Sequence, residues 1–194
     1  MKKILIVVLI LIVLLFNTNV VFAANIISDY TDTNKQTFTA NDVQKSLDLI
    51  PTCYTNKLDI YLLETSKPTK TRALASYLWD ENTIWIYRTD VNEGRQYQWA
   101  TYDGVRVVNL VAKEELNHII THEVGHYVNN FIYKDYFQYY EDIYERTKKF
   151  NSDNILEDFA ESWSMYILDT ENFRKNCPSK YIYFEMIRIL FRED

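Results

Sequence analysis

Two histidines four residues apart enclose a glutamate in His122-Glu123-Val124-Gly125-His126. On an α-helix, residues at this spacing share a face about one turn apart. Two neutral imidazole nitrogens placed this way suit a single Zn²⁺. Glu123 is rotated roughly 100° from His122 around the axis. A carboxylate there lies beside the metal without having to bind it, and can take a proton from metal-held water. The chemistry implied is metal-assisted hydrolysis, with one Zn²⁺ per chain, His122 and His126 as ligands and Glu123 as general base.

A catalytic zinc needs a third protein ligand and one position left for water. His118 is the only other histidine. It lies eight residues before His126, about 12 Å along an unbroken helix, too far for both to bind one ion through bonds of roughly 2 Å. His118 therefore reads as a residue of the helix surface or of the layer behind the ligands. Asn129 and Ile132 stand where an extended three-histidine motif would have its glycine and third histidine. A carboxylate from a following helix remains. Glu157-Asp158-Phe159-Ala160-Glu161 places two glutamates four apart on one face. Glu157 can bind the metal while Glu161 accepts the N–H of a ligating imidazole. Each also has a plain reading: Glu157 as a capping-box partner of Asn154, and Glu161 as a solvated helix carboxylate.

The elements around these residues follow from periodicity. Leu116, Ile119, Ile120, Val124, Tyr127 and Phe131 fall at helical spacing, which predicts a central helix over 112–131. Gly125 inside it costs about 1 kcal/mol relative to Ala, and points to close approach by another backbone or by a ligand. Thr39 is a candidate cap for a short helix over 40–49, ended by Pro51. Residues 58–62 alternate as a strand. Residues 75–79 and 83–88 read as a hairpin about Asp80-Glu81-Asn82. Trp85 and Tyr87 on the second strand of that hairpin form an aromatic face, read as a candidate substrate-binding edge or as ordinary sheet packing. Residues 24–38 read as a loosely packed leader and 89–104 as a polar loop, with 105–110 extended. Helices are expected over 136–150, 155–168 and 180–191.

Together these predict an α+β fold, with a small twisted sheet and its edge strand packed on the central helix, and a helical C-terminal half. Met1-Lys2-Lys3 precedes an unbroken apolar run from Ile4 to Phe16, shorter than the roughly 20 residues a membrane span needs. Val21 and Ala23 supply small residues for cleavage after Ala23. The expected organisation is a signal peptide over 1–23 and one domain over 24–194, secreted, with no stable membrane span and monomeric. The formal charge is −6, and more negative still without Lys2 and Lys3. That disfavours nucleic acid and anionic membranes as partners and leaves a protein or peptide substrate. Sixteen Tyr, ten Phe and four Trp supply apolar surface for a core. Cys53 and Cys177 permit one disulfide or two separate thiols.

His122-Glu-Val-Gly-His126 followed by Glu157-Asp-Phe-Ala-Glu161-Ser-Trp resembles the catalytic domain of anthrax toxin lethal factor and its small secreted relatives, among them the pro-pro endopeptidases. Lys175-Asn176-Cys177-Pro178 is also similar to that family's segment before its last helix. The resemblance runs from about Leu74 to the C-terminus. It implies a zincin-like metalloprotease fold, two histidines and Glu157 on zinc, Glu123 as base and Glu161 behind the ligands. It also implies endopeptidase activity, with Pro-rich surface proteins as a candidate substrate class. The family places a tyrosine seven residues before the ligand glutamate to steady the oxyanion. Phe150 stands there in this chain, and Tyr144 is the candidate substitute. The alternative outcome is a catalytically silent zincin that serves as an extracellular binding module. A structural zinc with all four positions filled by protein is a third reading.

Overall fold

A computed structural model describes residues 24–28, 39–63, 75–87, 96–101, 104–109, 114–132, 134–147, 150 and 154–190. The proposed signal segment and its cleavage site lie outside the described residues. Strands β1 (Asn25–Ser28), β2 (Asp59–Leu63), β3 (Ala75–Leu78) and β4 (Thr83–Tyr87) form one sheet in the order β1-β2-β4-β3. β1, β2 and β4 run parallel, and β3 is antiparallel to β4. The β3–β4 hairpin turns through Asn82, whose φ of 51° lies in the left-handed region that Asn tolerates.

Two segments expected to be irregular are strands. Asn25–Ser28, read as leader, adds to the sheet beside β2. Part of the expected polar loop, β5 (Gln96–Thr101), pairs antiparallel with β6 (Gly104–Asn109) as a separate two-stranded ribbon. Cross-strand pairing supplies order there that composition does not announce.

Helix α1 (Ala40–Leu47) starts at a capping box: Thr39 and Asp42 each accept the other's backbone N–H. It buries Val43 and Leu47, and Ser46 Oγ donates to Asn117 Oδ1 on α2 (Glu114–Tyr127) at 2.8 Å. α2 lies between α1, the sheet and the C-terminal helices, and buries Leu116, Ile119, Ile120, Val124 and Tyr127 as their spacing predicts. Phe131 breaks the pattern and is 48% exposed. The chain widens into a π-helical turn over Val128–Ile132, which shifts the side-chain register past Tyr127. Phe131 then stacks on Tyr127 from outside, with ring centroids 5.4 Å apart.

Helices α3 (Phe137–Arg146), α4 (Ile155–Leu168), α5 (Thr170–Asn176) and α6 (Pro178–Leu190) complete the described chain. α5 is unanticipated. It fills the interval before Cys177 and buries Phe173. α4 starts at Asn154, whose side-chain oxygen accepts the Leu156 N–H at 3.0 Å. An aromatic core joins the helices: Tyr140 meets Phe159 edge-on at 4.9 Å, and Phe184 lies 5.3 Å from Phe159 and 5.6 Å from Trp163. Cys177 is buried and Cys53 half-buried, and they are separate thiols. Among the described residues, no helix is long and apolar enough to cross a membrane.

Candidate metal centre

The centre is built where α2 crosses α4, and Gly125 sets the approach. A Cβ at Gly125 would lie 2.8 Å from Ala160 Cα and 3.0 Å from its carbonyl oxygen. The close approach inferred from this glycine is therefore by backbone. With the axes this near, the His122–His126 face of α2 meets the Glu157–Glu161 face of α4.

Glu157 takes up a position between the two histidines. One of its oxygens is 3.2 Å from His122 Nε2, and the other 3.5 Å from His126 Nε2. The donor atoms of these three residues all lie within 4.8 Å of one another, and the group could hold a metal ion. Ligands at roughly 2.0–2.1 Å around a tetrahedral ion stand about 3.3 Å apart, close to both distances. The capping-box reading of Glu157 does not hold: its carboxylate serves the histidines, and Asn154 alone caps α4.

Glu161 is 5% exposed and anchors two rings. Its Oε2 is 3.1 Å from His122 Nδ1, and its Oε1 is 2.9 Å from His118 Nε2. It is not a solvated carboxylate. With Nδ1–H donated to Glu161, a neutral His122 turns its Nε2 lone pair toward a Glu157 oxygen. Two lone pairs at that distance repel unless a cation or a proton lies between them, so the donor set fits a metal ion. His126 Nδ1 is buried with no hydrogen-bond partner among the described residues, which makes His122 the better anchored of the two.

The charges follow this geometry. Burial opposes a charge on His122, but Glu157 and Glu161 overcome it and push the metal-free imidazole up to about 10. Hydrogen bonds from His122 and His126 hold Glu157 well below the usual carboxylate range. For Glu161 burial works to raise the value, and bonds from His118 and His122 outweigh it, leaving about 2.

The site is open on one side. The Glu157 side chain keeps 41% of its surface, and Glu123 is half-buried where His122 and Val124 are buried. Trp79 lies at the rim, 42% exposed, with its indole 6.3 Å from the His126 ring. Asn130 Nδ2, from the π-helical turn, reaches the Trp79 carbonyl at 3.4 Å and Tyr77 Oη at 3.3 Å. Trp79 lies in the turn just after β3, where strand alternation assigns it no face.

The other candidates stand elsewhere. β4, which carries Trp85 and Tyr87, is not an edge: β2 and β3 flank it, and Trp85 pairs with Tyr61 on one side and Ser76 on the other. Its backbone is already used, and Tyr87 is buried. The sheet edge beside α2 is β3. Tyr144 is buried on α3 within the main core. Phe150 is also core. Its ring lies under Lys180 Nζ at 4.6 Å, and its N–H donates to Asp158 Oδ2 at 2.5 Å.

That last bond belongs to a buried polar network that no motif in the sequence announces. Lys180 and Asp158 are both fully buried, with Lys180 Nζ 2.5 Å and 3.0 Å from the two Asp158 oxygens. Tyr140 Oη donates toward Asp158 Oδ1 at 2.9 Å and also lies 2.8 Å from Ser162 Oγ. The available signal was a lysine in the apolar stripe of α6, at the start of the run Lys180, Tyr183, Phe184, Ile187. The network braces α4 one residue past Glu157, on a face turned about 100° from it around the helix.

No family model matches the chain, and no curated protein is significantly similar to it.

Proposed function

We propose that this protein is a secreted zinc-dependent metalloendopeptidase. One observation carries the reading: His122, His126 and Glu157 converge on one point that could hold an ion, with Glu123 next to a ligand on a side that water reaches. His122 and His126 would hold the zinc through ring nitrogens, and Glu157 through a carboxylate oxygen. When bound, zinc polarises the scissile carbonyl and acidifies the attacking water. Glu123 is the residue that would accept a proton there and deliver it to the leaving nitrogen. Glu161 keeps the His122 ring oriented through both steps. The half-open Glu157 favours a catalytic site over a structural zinc with four protein ligands.

The peptide lies along β3, the antiparallel edge of the sheet, whose backbone can pair with an extended chain. The resemblance to the lethal factor and pro-pro endopeptidase group makes Pro-rich surface proteins the first substrates to try. A test is profiling on a combinatorial peptide library, parent against Glu123→Gln, with zinc content measured on both. Cleavage by the parent alone, at equal zinc content, supports the reading. Equal cleavage by both removes Glu123 from the mechanism.

A second reading rests on Phe150 and Tyr144. Both are in the core, and Phe150 has no hydroxyl to steady an oxyanion. A chain that binds zinc but cleaves no peptide in the library would be a silent zincin that acts by binding.

A further inference from the structure

His118 takes no place among the metal ligands, yet it is 8% exposed and turned toward them. Its Nε2 lies 2.9 Å from Glu161 Oε1, and its ring centroid is 6.0 Å from that of His122. Glu161 thus has one oxygen on His118 and the other, at 3.1 Å, on His122 Nδ1. A carboxylate at the end of a glutamate side chain has rotamers to choose from. One imidazole contact leaves it free to swing, whereas two contacts on its two oxygens fix the plane of the group. Fixing that plane fixes the His122 ring and its tautomer: Nδ1–H to Glu161, Nε2 toward the ion.

We propose that His118 is a positioning residue that clamps Glu161 and, through it, orients His122 for metal binding. The inference rests on the metal reading of His122, His126 and Glu157. It explains why a third histidine stands on the metal helix at a spacing that excludes it from the ion. Three side chains on two helices then form one chain, His118 to Glu161 to His122, that joins the first turns of α2 to the metal. Ser164 Oγ and Thr121 Oγ1, 2.6 Å apart between the same helices, hold the crossing nearby without touching the carboxylate.

The test is competitive Zn²⁺ titration of the full chain after chelator treatment, for the parent, His118→Ala and His118→Gln. Gln can place an amide N–H where the imidazole Nε2–H stands, so it restores the clamp without restoring a titratable ring. Loss of a hydrogen-bond partner behind a metal ligand weakens affinity by roughly 10–100-fold. His118→Ala is expected to fall in that range, and His118→Gln to recover most of the loss. An unchanged affinity in His118→Ala, or equal losses in Ala and Gln variants that both melt cooperatively, overturns the clamp. A parent that takes up no Zn²⁺ overturns the metal reading, and the inference with it.

Discussion

Gly125 of α2 and Ala160 of α4 touch backbone to backbone. A Cβ on Gly125 would stand 2.8 Å from Ala160 Cα, and no flexible side chain tip could swing away to relieve it. Ala160 lies three residues past Glu157 and one before Glu161, so this contact sets how far both carboxylates reach toward the histidines. Gly125→Ala gains about 1 kcal/mol in helix propensity. Against this stands overpacking, at about 1–3 kcal/mol. The expected result is a lower denaturation midpoint together with weaker metal binding, since α4 must retreat. A variant more stable than the parent would mean that the crossing yields easily.

Glu123→Gln is expected to keep the metal and lose the chemistry. Removing a positioned general base costs about 10²–10⁴ in rate, whereas Gln leaves the three ligands in place. Glu157→Ala should do the reverse and lose the metal first. Metal content and kcat measured on the same samples separate the two roles.

The metal-free protein should show a stability plateau bounded on both sides. His122 is pushed up to about 10 from its ordinary 6.5, so its contribution is complete below 6.5 and is lost as pH rises through 10. Glu161 is held at about 2 from an ordinary 4.5, so its contribution is complete above 4.5 and is lost as pH falls through 2. These two groups place the optimum between 4.5 and 6.5, and chemical denaturation in chelator across pH checks it. Metal uptake has the opposite slope at neutral pH. The ion displaces the His122 proton, so affinity climbs by up to about tenfold per pH unit. Calorimetry in buffers of different ionisation enthalpy should find close to one proton released per metal bound.

Lys180→Met leaves the Asp158 charge in a site with no solvent exposure. Breaking a buried pair from one side costs about 3–5 kcal/mol, and thermal denaturation should register it. Asp158→Asn combined with Lys180→Met removes both charges and is expected to recover part of the loss. A double variant as unstable as the sum of the two singles would show that the charges do not interact.

Trp79→Ala is expected to change what is cleaved more than whether the metal binds. The indole is no metal ligand, but it borders the open side of the site beside His126, with ring centroids 6.3 Å apart. Loss of one apolar contact surface should raise KM by roughly tenfold for a peptide with a large apolar side chain at that subsite. Zinc affinity should stay at the parent value. Identical library profiles for parent and variant would remove Trp79 from the substrate site.

The candidate metal site was legible in the sequence because helical spacing is local. His122 and His126 share a face by the geometry of one turn, and Glu157 and Glu161 by the same rule. Capping at Thr39 and Asn154, the hairpin about Asn82 and the buried stripe of α2 are equally short-range. The tertiary structure decided everything that required two distant segments to meet. It turned Glu157 away from a capping role, gave His118 a partner in Glu161, and buried Lys180 on Asp158. It made β3 the sheet edge in place of β4, and seated Phe150 in the core. A π-helical turn moved Phe131 out of its expected stripe, and strand pairing ordered residues 25–28 and 96–101. Each of these depends on which distant segments come together, and local spacing carries no record of that; at the candidate site the Gly125–Ala160 contact sets the approach of α2 and α4.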